Sequence, residues 1–554
     1  MTSSRMTESE LRSWLRQWVS ETTETEISEI SDDTPMESFG LSSRDAVALS
    51  GELEKLLDVR LQATIAYEYP TIEALAKAVL DSTSDSAKAP TKPKLQARAE
   101  AAVNPEDRDI AIVGMSGRFP GGDTVAEYWN LLMENRSAVT DRPVGRWSEY
   151  ANDPVLSQKL EQLNTSGGYL NDIASFDNEF FGVSPVEAIN MDPQQRIMLE
   201  QAWFALEDAS IPAQRLRGEA VGVYLGTSTN DYGMLISADP SEAHPYAMTG
   251  SATSIIPNRI SYAFDFRGPS VAVDTACSST LVAVHEAVRA LRDGDIDVAL
   301  AGGINLIASP FTSIAFAELG MISPTSAVHA FSDDADGFVS SEGAGILVLE
   351  RVWDAVANGH EILAVIKGSA VTSDGHSNGL TAPNPDAQVD VLERAYADAG
   401  IDPADVDYIE TQGTGSPLGD SLEAQALGEV VGAGRDLMHP LLMGSVKTNI
   451  GHTESASGAA SLIKVVESMR QDTLPATINF NAPSGFTDFG RNRLEVVLDA
   501  RDWPQYSGRK VAGISAFGFG GTNAHVVITD YDESDYALNL GDGSAQLLDE
   551  AHTV

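Results

Sequence analysis

From residue 108 onward the chain is punctuated by short β-branched or apolar runs, and these limit its fold more than any other feature. They read DIAIVGM, AVGVYLG, SVAVDTA, DVALAGG, GAGILVL, ILAVIKG, DYIET and LMGSV. Each is of strand length and apolar rather than alternating, and helical patterns separate many of them. That texture predicts an α/β protein with a buried, largely parallel sheet system. The 46 glycines and the 43% hydrophobic content fit a folded chain with many tight turns. With 554 residues, roughly two to four domains and a large core are expected.

The first 107 residues have a different texture. Leu11, Trp14, Leu15 and Val19 recur at helical spacing, as do Ala46, Leu49, Leu53 and Leu56. A last short helix follows Pro70, with Thr71 as its N-cap. Residues 1–82 are therefore expected to form a small all-α domain. Residues 83–107 are rich in Ser, Ala, Pro and Lys and lack apolar periodicity, which is a linker composition. Residues 108–530 carry the strand-and-helix texture. Residues 531–554 lose it and begin DYDESDY, as expected for an acidic tail or the cut edge of a longer chain. No short tandem repeat is present.

The formal charge of −45 argues against nucleic acid and against an anionic membrane face, both of which need a basic surface. A solvated acidic surface accounts for it. One cysteine excludes an intrachain disulfide. The N-terminus has acids and no apolar core of a secretory signal, and no run of about 18 apolar residues could span a bilayer. The expected compartment is the cytoplasm. No cluster of His, Cys, Asp and Glu has ligand spacing, so no metal is expected.

The single cysteine lies in SVAVDTACSSTLVAVHEAVRALRDG, which passes from strand through a small-residue turn into a helix striped by Leu281, Val284, Val288 and Leu291. Cys277 thus sits near a helix N-terminus, where free backbone N–H groups and the helix dipole favour a thiolate. This is the setting of an activated nucleophile. A lone cysteine is equally an inert small hydrophobe, so its partners decide. Two late segments can supply them. GSVKTNIGHTESASGAAS places Lys447 and His452 between a strand and a small-residue helix. AGISAFGFGGTNAHVVI sets Phe519 between glycines and runs into a strand. His525 leads directly into VVI and reads as structural. His244, His360 and His439 lie in loop-like contexts and read as solvated.

These segments resemble the β-ketoacyl synthase domain of a modular polyketide synthase. The likeness runs from about 108 to 530 and includes DIAIVGMSGRFPGG, MDPQQRIMLEQAWFALEDA, VDTACSST, GGINLI, DDADGFVSSEGAGILVLER, KTNIGHTE and FGFGGTNAH, in that order. It implies a thiolase-like fold: two similar α/β halves forming a five-layered α/β/α/β/α core, usually dimeric. It implies further that Cys277 takes the acyl chain as a thioester. His452 would hydrogen-bond the extender carbonyl and stabilise the enolate formed on decarboxylation. Lys447 would support that histidine. Backbone N–H groups of Cys277 and Phe519 would form an oxyanion hole, and Phe519 would gate the nucleophile.

The N-terminal domain resembles an acyl carrier protein. Gly40-Leu41-Ser42-Ser43-Arg44 matches the carrier pattern at Gly40 and Ser43, with Ser42 in place of the usual Asp and Arg44 in place of an apolar residue. YEYPTIEALA also matches. The resemblance implies a 4′-phosphopantetheine arm on Ser43, at a helix start where N–H groups favour phosphate; as a bare helix position, Ser43 is simply an N-cap. A carrier ahead of the first synthase, with GLSSRDAVALSG, is most similar to the mycolic-acid-condensing polyketide synthases of mycobacteria and corynebacteria. Implied partners are a phosphopantetheinyl transferase, an acyl-loading enzyme, and an acyltransferase with a second carrier, downstream or separate. A thiolase using acyl-CoA is the poorer match, because thiolases normally need a second active-site cysteine.

One position departs from the pattern. The synthase family usually reads Glu-Ala-His-Gly-Thr-Gly-Thr where this chain has Glu410-Thr411-Gln412-Gly413-Thr414-Gly415-Ser416. Gln412 stands in place of one of two active-site histidines. Its amide can donate a hydrogen bond and cannot become cationic or shuttle a proton. The expectation is efficient acylation of Cys277 with slowed condensation. Lesser departures are Ser340-Ser341, where Arg-Gly is common, and Thr325-Ser326-Ala327-Val328-His329, which replaces a basic run before Phe331.

Overall fold

The computed structural model describes residues 6–82, apart from 24, 42, 58, 60 and 62–64, and residues 108–537, apart from 151, 243, 378 and 486. The expected linker at 83–107 and the end of the acidic segment at 538–554 lie outside the described residues. The chain divides into two compact units, one holding the N-terminal residues with 176–190 and the other holding the rest.

The first unit contains α1 (Glu8–Thr23), α2 (Ser43–Leu57), α3 (Ile65–Glu68) and α4 (Ile72–Ser82). Leu11, Leu15 and Val19 of α1 pack with Leu49 and Leu53 of α2 and Ile72, Leu75 and Val79 of α4. Leu56, expected in the same stripe, lies on the exposed side. Thr71 caps α4, its Oγ1 accepting from Ala74 N at 3.2 Å. Gly40 has φ 93°, a left-handed turn that glycine adopts without strain, and Ser43 is the first residue of α2.

The second unit is built on an eleven-stranded sheet. Its strands are β1 (Ile110–Arg118), β2 (Val221–Gly226), β3 (Ser270–Val273), β4 (Val298–Asn305), β5 (Gly343–Arg351), β6 (Ala364–Ser373), β7 (Tyr408–Glu410), β8 (Leu441–Gly444), β9 (Leu494–Val496), β10 (Val511–Phe517) and β11 (Thr522–Thr529). The order is β9-β8-β7-β10-β11-β6-β1-β5-β4-β2-β3. It reads as two halves of like topology meeting at the antiparallel β1–β6 pair. In one half β2 pairs in parallel with β3 and β4; in the other β7 pairs in parallel with β8 and β10. Antiparallel ribbons, β4-β5-β1 and β10-β11-β6, complete each half. The sheet is therefore mixed rather than largely parallel. Continuous apolar runs report burial on both faces and carry no information on strand direction.

Helices supply the other layers. On the outer faces, α5 (Pro193–Asp208) packs on β1 and β5, and α7 (Pro385–Ala399) packs on β6 and β11, flanked by α8 (Pro417–Val430). Between the halves run α6 (Ser279–Arg292) and α9 (Ser457–Arg470), which touch each other and strands of both halves. Every α9 residue from Ser457 to Met469 is buried, as a central helix requires. This is the five-layered thiolase-like core. Residues 531–537, at the start of the acidic segment, pack on it through Tyr536, whose hydroxyl donates to Asp109 at 2.8 Å.

Candidate active site

Cys277 lies in the turn Ala276–Ser278 between β3 and α6. Ala276 has φ 56°, a left-handed conformation unusual for a residue with a Cβ, which bends the chain sharply ahead of the helix. Gly518 lets the neighbouring loop come close: a Cβ there would lie 2.3 Å from Thr275 O. That approach brings the Phe519 N–H to the sulfur, where the N–H of Cys277 also points. The two backbone donors expected at the nucleophile are thus both present.

The thiol's ionisation differs from the expectation. Burial pushes Cys277 up to about 12; Glu454 pushes in the same direction, while Lys447 and the two N–H groups oppose it. The residue keeps partial solvent exposure, which tempers the size of the shift and leaves its direction. Burial itself pushes Glu454 up to about 8, so this carboxyl is mostly neutral at pH 7 and contributes less. The helix start is where the sequence places it, but apolar surroundings outweigh its dipole.

His452 precedes α9 and is buried. Its Nδ1 accepts from Glu454 N at 3.2 Å, which assigns the proton to Nε2. Among the described residues, Nε2 has no hydrogen-bond partner. Burial, then the Lys447 charge, hold the imidazole far below its ordinary range. His452 is therefore a neutral donor. Lys447 is buried too, with Nζ 3.4 Å from Thr411 O; burial lowers its pKa while Glu410, Glu423, Cys277 and Asp420 raise it.

Gln412 ends the β7 segment, and Phe517 N donates to its Oε1 at 3.4 Å. This anchors the amide oxygen and leaves Nε2 as the donor. The glycine turn behind it is held by carboxyls of α8. Glu423 accepts from Gln412 N at 2.7 Å and Gly413 N at 2.9 Å; Asp420 accepts from Thr414 N and Gly415 N. Burial pushes Glu423 up to about 8 and Asp420 up to about 7 even so.

Phe519 is 48% exposed and heads a row of aromatic edges: Phe519 meets Phe316 at 6.1 Å, Phe316 meets Phe338 at 5.3 Å, and Phe338 meets His452 at 5.4 Å. All five expected residues, Cys277, Gln412, Lys447, His452 and Phe519, are thereby linked in one site. His525 lies outside it, buried and bonded to Ser515 and Tyr396, as a structural residue should be. His439 is exposed, whereas His360 is half-buried, with Nδ1 2.7 Å from Glu350.

Other contributors leave little trace in the sequence. Lys464 and Glu410 form a fully buried ion pair at 2.6 Å, joined by the Tyr408 hydroxyl; Glu410 also accepts from Val446 N. This pins the segments leading to Gln412 and Lys447. Its only sequence signal is a charge on the apolar stripe of α9. Among the described residues, no group of three or more His, Cys, Asp or Glu could hold a metal, and no helix is long and apolar enough to cross a membrane.

Family comparisons agree with this geometry. "Beta-ketoacyl synthase, N-terminal domain" matches residues 107–355 and "Beta-ketoacyl synthase, C-terminal domain" residues 363–481. A ketosynthase from module 6 of the bacillaene synthase of Bacillus subtilis 168 is 40% identical, with a TM-score of 0.70, covering 76% of this chain and 72% of its own. The chain belongs to the β-ketoacyl synthase family of polyketide synthases. The synthase also matches "Phosphopantetheine attachment site" over 13–79 and "Ketoacyl-synthetase C-terminal extension" over 483–549. An oxazolomycin ketosynthase domain from Streptomyces albus JA3453 is 38% identical with a TM-score of 0.71, covering 76% of this chain and 75% of its own. A phenolphthiocerol/phthiocerol polyketide synthase of Mycobacterium bovis is 46% identical over 535 residues, covering 96% of this chain. A pikromycin synthase component of Streptomyces venezuelae is 43% identical over 498 residues, covering 89%. The chain spans 28% of the length of the mycobacterial relative and 13% of the pikromycin one. The synthase thus couples a carrier domain to a modular ketosynthase, and these relatives make phthiocerol-type and other polyketides rather than mycolic acids in particular.

Proposed function

We propose that this synthase performs a decarboxylative Claisen condensation. One observation carries the reading: a neutral His452 whose Nε2–H is a buried donor without a partner among the described residues, in the same site as Cys277, its two backbone N–H groups and the Gln412 amide. In the first step Cys277 sulfur attacks the carbonyl of an acyl thioester. The N–H groups of Cys277 and Phe519 hold the developing oxyanion. The S–C bond to the donor thiol breaks, and the proton that Cys277 gives up balances the one the leaving thiolate gains. In the second step a carboxyacyl thioester binds with its carbonyl on His452 Nε2–H and Gln412 Nε2–H. Its C–CO₂ bond breaks, the electron pair moves onto the thioester oxygen, and CO₂ leaves. The enolate carbon then attacks the Cys277 thioester, freeing the sulfur and giving a β-ketoacyl thioester. Burial, with the Lys447 charge beside it, keeps His452 neutral throughout.

Ser43 is the residue we assign to hold the phosphopantetheine arm. The left-handed Gly40 turn and the place of Ser43 as first residue of the 15-residue α2, where a helix N-terminus favours an anion, suit a phosphodiester there. The arm supplies a thiol that carries acyl groups as thioesters.

Gln412 favours a second reading, in which loading outpaces condensation. Removing one donor of an oxyanion-type pair costs about 100-fold to 1,000-fold, and the amide restores part of that. The resemblance to mycolic-acid-condensing synthases, resting on the front carrier, points to a long-chain acyl group; the phthiocerol relatives offer the other product class. The implied partners are a phosphopantetheinyl transferase, an acyl-loading enzyme, an acyltransferase with a second carrier and a second copy of this chain, in the cytoplasm.

Intact-protein mass spectrometry tests the reading. The protein is treated with a phosphopantetheinyl transferase and a long acyl donor, then with a carboxyacyl extender on a separate carrier. Acyl mass that moves from Ser43 to Cys277 and leaves as a condensed product supports it, and the product mass separates the two lipid classes. Acyl mass that stays on Cys277 supports the loading-only reading.

A further inference from the structure

We propose that Ser340 is a third hydrogen-bond donor to the carboxyacyl extender, acting beside His452. This rests on the condensation reading above. His452 N donates to Val339 O at 2.7 Å and Ser341 N donates to His452 O at 2.9 Å, which makes a parallel bridge between Ser340 and His452. Residues paired in this way project their side chains to the same face, and so do residues two apart along a strand. Phe338 supplies the check. It lies two residues before Ser340, and its ring meets the His452 imidazole edge-on at 5.4 Å. The Ser340 hydroxyl therefore shares the imidazole's face.

Packing does not account for that hydroxyl. Ser340 is 8% exposed, and its Oγ is closed off from solvent with no hydrogen-bond partner among the described residues, like His452 Nε2. A buried hydroxyl left unpaired is unfavourable, and alanine would fill the space without that penalty. Neighbouring Ser341 is the contrast: its Oγ donates to Gly168 O and lies 3.2 Å from Glu342 O. Two unpaired polar atoms on one face of the site thus await a ligand with an acceptor oxygen. The extender's thioester oxygen is such an acceptor, and it becomes a stronger one as the C–CO₂ bond breaks and the electron pair moves onto it. The Ser340 O–H donates to that oxygen without transferring its proton, so the atom balance of the reaction is unchanged. Its neutral donor supplements the pair in which Gln412 replaces a histidine. Acylation of Cys277 uses backbone N–H groups and does not involve it.

The test uses the full chain with Ser340→Ala and Ser340→Thr, each alone and with Gln412→His. The expected result is a fall of about tenfold in the condensation kcat for Ser340→Ala, an unchanged loading rate on Cys277, and recovery in Ser340→Thr. With Gln412→His the cost of Ser340→Ala should shrink to about threefold, because the histidine repairs the donor deficit. In the Cys277→Ala protein, Ser340→Ala should weaken binding of malonyl-pantetheine about fivefold. Equal condensation in Ser340→Ala and the parent overturns the proposal, as does a loading rate that falls in parallel. If neither the parent nor Gln412→His condenses, the condensation reading has failed, and malonyl-pantetheine binding alone decides: unweakened binding overturns the role of Ser340.

Discussion

The two central helices begin alike and end up doing different work. Each follows a strand of a parallel pair, β3 for α6 and β8 for α9. Each is preceded by a one-turn 3₁₀ segment, Ala276–Ser278 or Glu454–Ala456, and each runs for 14 residues. The first residue of each turn is left-handed without being glycine, Ala276 at φ 56° and Glu454 at φ 45°. At the next position stand Cys277 and Ser455. Cys277 keeps partial exposure, whereas Ser455 is fully buried, its Oγ donating to Ile304 O at 2.6 Å. The halves are also laced together, since Ser457 Oγ donates to Cys277 O and Thr280 Oγ1 to Ser455 O. One copy of the device is partly open and carries Cys277, the nucleophile of the proposed condensation. The other is closed, and its turn instead fixes the His452 tautomer through the Glu454 N–H. Strained backbone of this kind persists only where its surroundings hold it.

The largest effect expected from this asymmetry comes from exchanging the two residues. Cys277→Ser with Ser455→Cys should lose acyl loading on the order of 10,000-fold, because the relocated thiol is closed off; an acyl adduct on residue 455, read by peptide mass spectrometry, would show the turns to be equivalent. Next is His452→Ala, which removes the donor of the closed side. Condensation should fall about 100-fold to 1,000-fold with loading on Cys277 retained, measured as ketone formed against acyl-enzyme formed. Parallel loss of both would make His452 part of the loading step as well.

How much of this is legible in the sequence follows from what kind of signal each feature leaves. Cys277, Lys447, His452, Gln412 and Phe519 lie in short local motifs, and the strand runs announce the α/β core. The paired turns leave no such trace. Their left-handed residues are Ala276 and Glu454 rather than glycine, so no turn signature marks them, and the two helices share little residue identity. The Lys464–Glu410 pair and the Ser340–His452 bridge join segments far apart in the chain. The thiol's raised pKa escapes a sequence reading for a related reason: the helix start is written locally, while what outweighs it, burial and then the Glu454 carboxyl, is assembled from segments distant in the chain.

Two smaller effects sharpen the contrast between the turns. With Cys277 pushed up to about 12, its thiolate fraction grows steadily across neutral pH. Alkylation by iodoacetamide should rise about tenfold per pH unit between roughly pH 6 and 9; a plateau beginning below about pH 8 would show an activated thiolate instead. On the other side, Glu454 is raised from 4.5 to about 8. The folded protein holds this proton more tightly than the unfolded chain, so the group costs stability progressively as pH climbs through that window and levels off above it. Glu454→Gln removes the cost. Its melting temperature relative to the parent should rise by about 1–2 °C between the low and high ends of that window, and an unchanged difference would place the ionisation elsewhere.

The central claim is that Gln412 separates loading from condensation. Gln412→His tests it most directly, with acyl-enzyme formation on Cys277 and β-ketoacyl product followed in the same reaction. The account predicts an unchanged loading rate and a rise of about tenfold in condensation. Equal condensation rates in the two proteins would contradict it.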